Sequence, residues 1–274
     1  MQVVNIVPSV KFARFGKEIS VNYYPNELNR ECSLVKEMRV IEGSYPDWKR
    51  LAGFHYRSHR IAAPRKICCL KRGDELCGVI VYCYPPIACF GRRQVLPKMS
   101  IKGLNEKLSI ISRVVVHPKY RTIGLGAKLV RETLPLAGTP YVEMVAVMAK
   151  YNPFAEKAGM QKIAEQPPTK EALAIAQVLS ELGFNIQLYG SEKYVLKKLQ
   201  TLKAEDIIRI KEAFIKNKTP RFMKYFFPHE PYGRQKLYVE KLMEASLERL
   251  AHLIKVCGLL LQTKVYLFWK RHQS

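Results

Sequence analysis

The chain has 274 residues, with 46 Lys plus Arg against 23 Asp plus Glu, a formal net charge of +23. Forty-eight per cent apolar residues, with 10% aromatic residues in the chain, is enough for a real core, so global disorder is excluded. The excess positive charge points to polyanionic partners, nucleic acid first and anionic membrane or acidic protein next, against the bland alternative of a basic host proteome or a ribosome-associated location.

The opening residues, MQVVNIVPSVKFARFGK, lack a basic start, a long apolar stretch and a small-residue cleavage site, so no signal peptide is read there. Val256–Trp269 is the most apolar late segment, but Gln262 and Lys264 interrupt it and it is too short to span a bilayer. The seven cysteines show no paired C-x-x-C spacing. Cys68, Cys69, Cys77, Cys83 and Cys89 crowd a strand-like region and read as buried reduced thiols, which fits a cytoplasmic location.

In chain order, weak strand signals lie around Ile6 and over Ile19–Tyr24, closed by Pro25 and Asn26. Tyr45–Tyr56 has helical spacing in Trp48, Leu51, Ala52 and His55. Lys66–Leu70 and Leu76–Tyr84 read as two strands joined at Gly73-Asp74, and Pro85-Pro86 stops the second. Pro85 to Glu106 is a long irregular connection, a length uncommon inside a compact domain unless it has a task. Leu108–Val116 is a clear strand, Arg121–Leu134 a helix with Ile123, Ala127, Val130 and Leu134 on one face, and Tyr141–Met148 a further strand. Asn152 reads as an N-cap with Pro153 after it, Gly159 closes a short helix, and Met160–Ala164 reads as another strand.

Beyond Pro167-Pro168 the pattern turns helical, over Thr169–Leu182, Ala204–Lys216 and a long stripe from Gly233 through Val239, Met243, Leu247, Leu250, Ile254, Cys257 and Leu261. Thr263–Trp269 reads as a final strand. The division expected is 1–45 as an N-terminal extension, 46–166 as a core, 167–262 as a helical insertion and 263–274 as the last strand.

The informative stretch is Ser112-Arg-Val-Val-Val-His-Pro-Lys-Tyr-Arg-Thr-Ile-Gly-Leu-Gly126. A β-branched strand runs into a turn that opens a helix, with two glycines at the opening. Gly124 and Gly126 let the backbone approach a ligand, and the exposed N–H groups of the helix start suit a pyrophosphate. This stretch resembles the acyl-CoA motif of the GNAT superfamily of N-acyltransferases, R/Q-x-x-G-x-G/A after a strand, matched by Arg121, Thr122, Ile123, Gly124, Leu125 and Gly126 behind Val114, Val115 and Val116. The resemblance covers about 40–165. It implies an α+β fold, a mixed central sheet flanked by helices, here with a C-terminal helical insertion and a final strand. It also implies acyl-CoA as donor, its pantetheine arm on the strand edge and its pyrophosphate on the 121–126 loop, with Asn152 and Phe154 as further donor contacts and no metal.

Val145–Phe154 and Glu156–Met160, with Phe54-His55-Tyr56 upstream, are similar to the GNAT-like domains fused to ABC-type ATPases in archaea and phages, distant relatives of the phage Mom DNA-modification proteins. No P-loop sequence occurs in this chain. One departure stands out: where many members place a Tyr as general acid, four residues before the closing Gly159, this chain has Ala155, with Tyr151 one turn earlier.

An amine acceptor must lose a proton near neutral pH, and histidine suits that task. The catalytic candidates are His55, with Tyr56 beside it, Glu143 and Tyr151. His117 is expected to serve its own turn. From Trp48 to Arg131 there are 18 Lys/Arg and 3 acids, a net +15, leaving +8 for the other 190 residues. That surplus suits a phosphate backbone, with Arg57, Arg60, Arg92, Arg93 and Lys98 as candidate contacts. The expected function is transfer of an acyl group to an amine on a nucleic acid, DNA ahead of RNA, by a soluble chain that could pair as a homodimer. The alternatives are acetylation of a protein or small-molecule amine, and a non-catalytic nucleic-acid-binding module.

Overall fold

The computed structural model describes residues 9–14, 17–22, 32–55, 60–226 and 235–271. The expected strand at Ile6, the end of the next at Tyr23 and Tyr24, and the candidates Tyr56 and Arg57 lie outside the described residues.

A separate antiparallel ribbon comes first, β1 (Ser9–Arg14) with β2 (Lys17–Asn22). After the single-turn α1 (Ser33–Lys36) come β3 (Met38–Glu42), α2 (Tyr45–Ala52), β4 (Pro64–Arg72) and β5 (Glu75–Cys83). Then follow α3 (Ile101–Lys107), β6 (Leu108–Val116), α4 (Leu125–Thr133), β7 (Tyr141–Ala146), α5 (Phe154–Lys157) and β8 (Gln161–Gln166). The helices α6 (Lys170–Glu181), α7 (Glu192–Gln200), α8 (Ala204–Lys216), α9 (Pro220–Phe226), α10 (Gln235–Met243) and α11 (Leu247–Leu260) precede β9 (Lys264–Lys270). Seven strands form one sheet in the order β3-β4-β5-β6-β7-β9-β8. β6 runs parallel to β7, from Leu108↔Tyr141 to Ile111↔Met144, and the last strand enters antiparallel between β7 and β8. This is the mixed sheet with a returning final strand that the sequence led us to expect.

The chain divides into two compact units, Met1–Tyr82 with Arg113–Leu136, and Cys83–Ser112 with Ala137–Ser274. In the first, Asp47 accepts from the Ser44 amide at 2.9 Å to start α2, whose buried Trp48, Leu51 and Ala52 face β4. A side chain at Gly43 would place its Cβ 2.3 Å from the Cys69 sulfur, so helix and strand pack this closely only around a glycine. α4 lays Leu125, Ala127, Leu129 and Val130 toward β3 and β4, and the Tyr82 hydroxyl meets Thr133 Oγ1 at 2.7 Å in the core. Cys68, Cys69, Cys77 and Cys83 are buried as expected, whereas Cys89 lies beyond the strands and is only half-buried; burial pushes Cys69 up to about 12, which removes it from thiolate chemistry at neutral pH.

The second unit holds two apolar clusters. Leu96, Leu104, Leu108, Tyr266 and Phe268 pack the irregular connection onto β9 and the start of β6. The helices have a core of their own, in which Ile175, Phe214, Phe222, Tyr238, Leu253 and Ile254 are all buried.

Six of the described elements were not anticipated, namely β1, α1, β3, α3, α7 and α9. They are short or weakly apolar, and α3 contains Gly103 and starts only because Ser100 accepts from the Gly103 amide at 3.2 Å. The long stripe from Gly233 divides into α10 and α11, because Ser246 caps a new helix through the Arg249 amide. Asn152 is not the cap of α5, since Pro153 occupies that position.

Candidate functional site

The turn between β6 and α4 holds one of the two non-glycine residues that have positive φ among the described residues, the other being Ala63. Thr122 has φ +72° and Gly124 φ +88°, so α4 starts at Leu125 rather than at Arg121. A β-branched residue in the left-handed region is an outlier that costs of order 1–3 kcal/mol and is held by its surroundings. The Thr122 hydroxyl bonds the Arg121 carbonyl at 2.5 Å, which partly offsets that cost. A Cβ at Gly124 would meet nothing within 4 Å, so the glycine is required by its φ and not by packing, and the space over it is open.

The start of α4 is also chemically bare. Helices α3, α6, α7 and α11 each begin under a serine or threonine oxygen that accepts a backbone N–H. α4 begins on Gly124 with no side-chain cap and no acid in its first turn. Its first N–H groups have no intrahelical acceptor and point, with the positive end of the helix, at the space over Gly124. That arrangement accepts an anion, and the open approach over Gly124 fits a pyrophosphate.

Arg121 is exposed, and its guanidinium reaches back to the protein: Nε donates to the Val116 carbonyl at 3.2 Å and Nη2 to the Phe54 carbonyl at 3.4 Å. Of the strand residues, Val115 is buried in the core while Val114 and Val116 are half-buried. Within the motif, Ile123 and Gly126 are half-buried and Leu125 is buried.

The structure places Phe54, the residue before His55, against this turn. Phe54 and His55 continue the end of α2, with amides bonded to the Leu51 and Ala52 carbonyls at 3.0 Å each. The Phe54 ring meets the His117 ring edge-on at 5.1 Å, and the half-buried His55 ring stands edge-on to Trp48 at 6.1 Å. His117 caps the turn, its Nδ1 accepting from the Lys119 amide at 3.3 Å and its own amide bonding the Cys77 carbonyl at 2.8 Å. Phe54 is a site residue the sequence reading missed. Its part is played by a carbonyl and a ring face, and the sequence offered no sign of either. Arg60 is exposed, and its carbonyl accepts from Arg113 Nη2 at 3.1 Å.

Two assignments are corrected in the second unit. Glu143 is fully buried and forms a bidentate pair with Arg92, Nη2 to Oε1 at 2.6 Å and Nε to Oε2 at 2.9 Å, while the Tyr266 hydroxyl donates to Oε2 at 2.9 Å. Both carboxylate oxygens are committed, so Glu143 is not a base. Arg92, its side chain only 7% exposed, also donates to the Pro86 and Ile87 carbonyls and is not a phosphate contact. Burial pushes the Tyr266 phenol far up, with the Glu143 charge adding to it, so it stays a donor. Elsewhere in this unit Tyr151 is 74% exposed, Asn152 is exposed, Phe154 is half-buried, and Arg93 and Lys98 are exposed. Ala155, in the place of the usual Tyr, is fully buried.

No protein-family model and no curated protein matches the chain. Among solved structures, a Bacillus subtilis acetyltransferase in complex with CoA is similar at 17% identity, over 48% of this chain and 81% of that one, with a TM-score of 0.35. A GNAT family acetyltransferase from Elizabethkingia anophelis with acetyl-CoA bound is similar at 11% identity, over 48% and 81%, also at 0.35. Likenesses of this size carry no functional argument.

Proposed function

We propose that the chain is an acyl-CoA-dependent N-acyltransferase of GNAT type, acting on an amine carried by a nucleic acid, DNA ahead of RNA. The observation that carries the donor half is the uncapped start of α4 over an open Gly124, at the position of the motif Arg121–Gly126. When bound, acyl-CoA supplies an activated thioester carbonyl. In this reading the backbone of Val114–Val116 aligns the pantetheine arm, and the amides of Thr122–Gly126 hold the pyrophosphate. His55 takes the acceptor amine's proton. The acceptor half rests on the charge between Trp48 and Arg131, net +15.

A second reading, a nucleic-acid-binding module without catalysis, is favoured by one observation: the usual acid position is the buried methyl of Ala155. One assay separates them. The chain is incubated with labelled acyl-CoA and with DNA, tRNA or basic peptides, and the labelled product is identified by mass spectrometry. Label on a nucleobase of DNA supports the proposal, label on peptide replaces its acceptor, and binding without label supports the second reading. If transfer occurs, His55→Ala lowers turnover by roughly 10²–10⁴-fold and leaves acyl-CoA affinity in place. Near-normal turnover in that variant removes His55 from the mechanism.

A further inference from the structure

We propose that Arg121 is a positioning residue that couples occupancy of the donor loop to the segment bearing His55, an inference that rests on the acyl-CoA reading above. A guanidinium is a rigid planar fork, so fixing one edge fixes the others. Two of its nitrogens are used inside the protein, Nε on the Val116 carbonyl at the end of β6 and Nη2 on the Phe54 carbonyl at the end of α2. Among the described residues Nη1 has no partner, and the side chain is exposed one residue before the left-handed Thr122.

Both bonds, at 3.2 and 3.4 Å, are longer than the roughly 2.9 Å of a good N–H···O contact, so both have room to tighten. A phosphate oxygen on Nη1 restrains the guanidinium plane. With Nε already on β6, the restraint passes through Nη2 to Phe54, whose ring also packs against His117. His55 follows in sequence, its amide in the same terminal turn. The donor thereby steadies the base before the acceptor is used. A lysine keeps the charge and reaches a phosphate, but as a point charge on a flexible stem it cannot bridge three partners in one plane.

The test uses amide hydrogen exchange at Phe54 and His55, with CoA itself as probe and calorimetry reporting its affinity. In the wild type, saturating CoA slows exchange at both amides several-fold. Arg121→Lys binds CoA within about tenfold of wild type, shows no CoA-dependent slowing at those amides, and loses kcat more than it raises the KM for CoA. Arg121→Met, scored for an unchanged thermal transition, separates this from a folding defect, because it too lacks the slowing while remaining folded. The same slowing in Arg121→Lys as in wild type, or none in wild type at saturation, overturns the inference and leaves the donor reading standing. Absence of CoA binding to the wild type removes the donor reading, and the coupling with it.

Discussion

The connection after β5 and the turn after β6 look alike in sequence. Each sets arginine close to a glycine, Gly91-Arg92-Arg93 in one and Arg121-Thr-Ile-Gly124 in the other, and in each the glycine has positive φ, +79° and +88°. They do opposite things. A Cβ at Gly91 would sit 2.7 Å from the Tyr266 ring, and Arg92 is buried against Glu143. A Cβ at Gly124 would meet nothing within 4 Å, and Arg121 is exposed. The first arginine–glycine pair closes a core and the second opens a surface. Residue type and spacing announce a special backbone; only the three-dimensional neighbours say whether it faces in or out.

The sharpest way to break this contrast is to remove each arginine. Arg92→Met leaves the Glu143 charge buried without its cation, with only the Tyr266 hydroxyl on it, and should lose about 3–5 kcal/mol of stability by chemical denaturation. Arg121→Met should lose no more than about 0.5 kcal/mol, as an exposed position. Equal losses would mean that the two loops are not different in kind. The glycines give a smaller separation. Gly124→Ala pays only its left-handed backbone, about 1–2 kcal/mol. Gly91→Ala pays the same strain and a clash with Tyr266 besides, about 1–3 kcal/mol more.

Salt dependence sharpens the functional side. With Arg92 committed to Glu143, the candidate phosphate contacts left on that connection are the exposed Arg93 and Lys98. Replacing both with Ala should flatten the slope of log K against log salt by about two. An unchanged slope would take this loop off the phosphate backbone.

The smallest effect concerns Glu75, which accepts from Lys119 Nζ at 3.0 Å and from the Tyr120 hydroxyl, bracing the turn before Arg121. The Tyr120 hydroxyl first, and Lys119 second, hold its carboxyl below the usual carboxylate range. A depressed acid contributes stability that is present above its unfolded pKa and lost as pH falls through the folded one. Glu75→Gln should therefore be slightly less stable than wild type at pH 7, the two converging as the solution is acidified below the ordinary carboxylate range. A constant gap down to low pH would assign the effect to something other than this charge.

The long periodic elements were legible in the sequence. The strand over Leu108–Val116, the one read over Tyr141–Met148 and found over Tyr141–Ala146, the hairpin at Gly73, and the final strand were read from apolar runs and turn residues. The special backbone of the turn Arg121–Gly126 was legible because glycine spacing encodes backbone. Glu143 and Arg92 were misread because a charge 51 residues from its partner carries no sign of that partner. Phe54 was missed for a related reason: what it contributes is a carbonyl, which every residue has.

The central claim is that the turn Arg121–Gly126 binds the donor. The most direct test is a titration of the isotopically labelled protein with acyl-CoA, followed by amide chemical shifts. The account predicts saturable shifts concentrated at Thr122 to Gly126, abolished by Gly124→Asp, which sets a negative charge where the pyrophosphate meets the helix start. Failure of acyl-CoA to bind, or saturable binding that leaves those five amides unmoved, would contradict it.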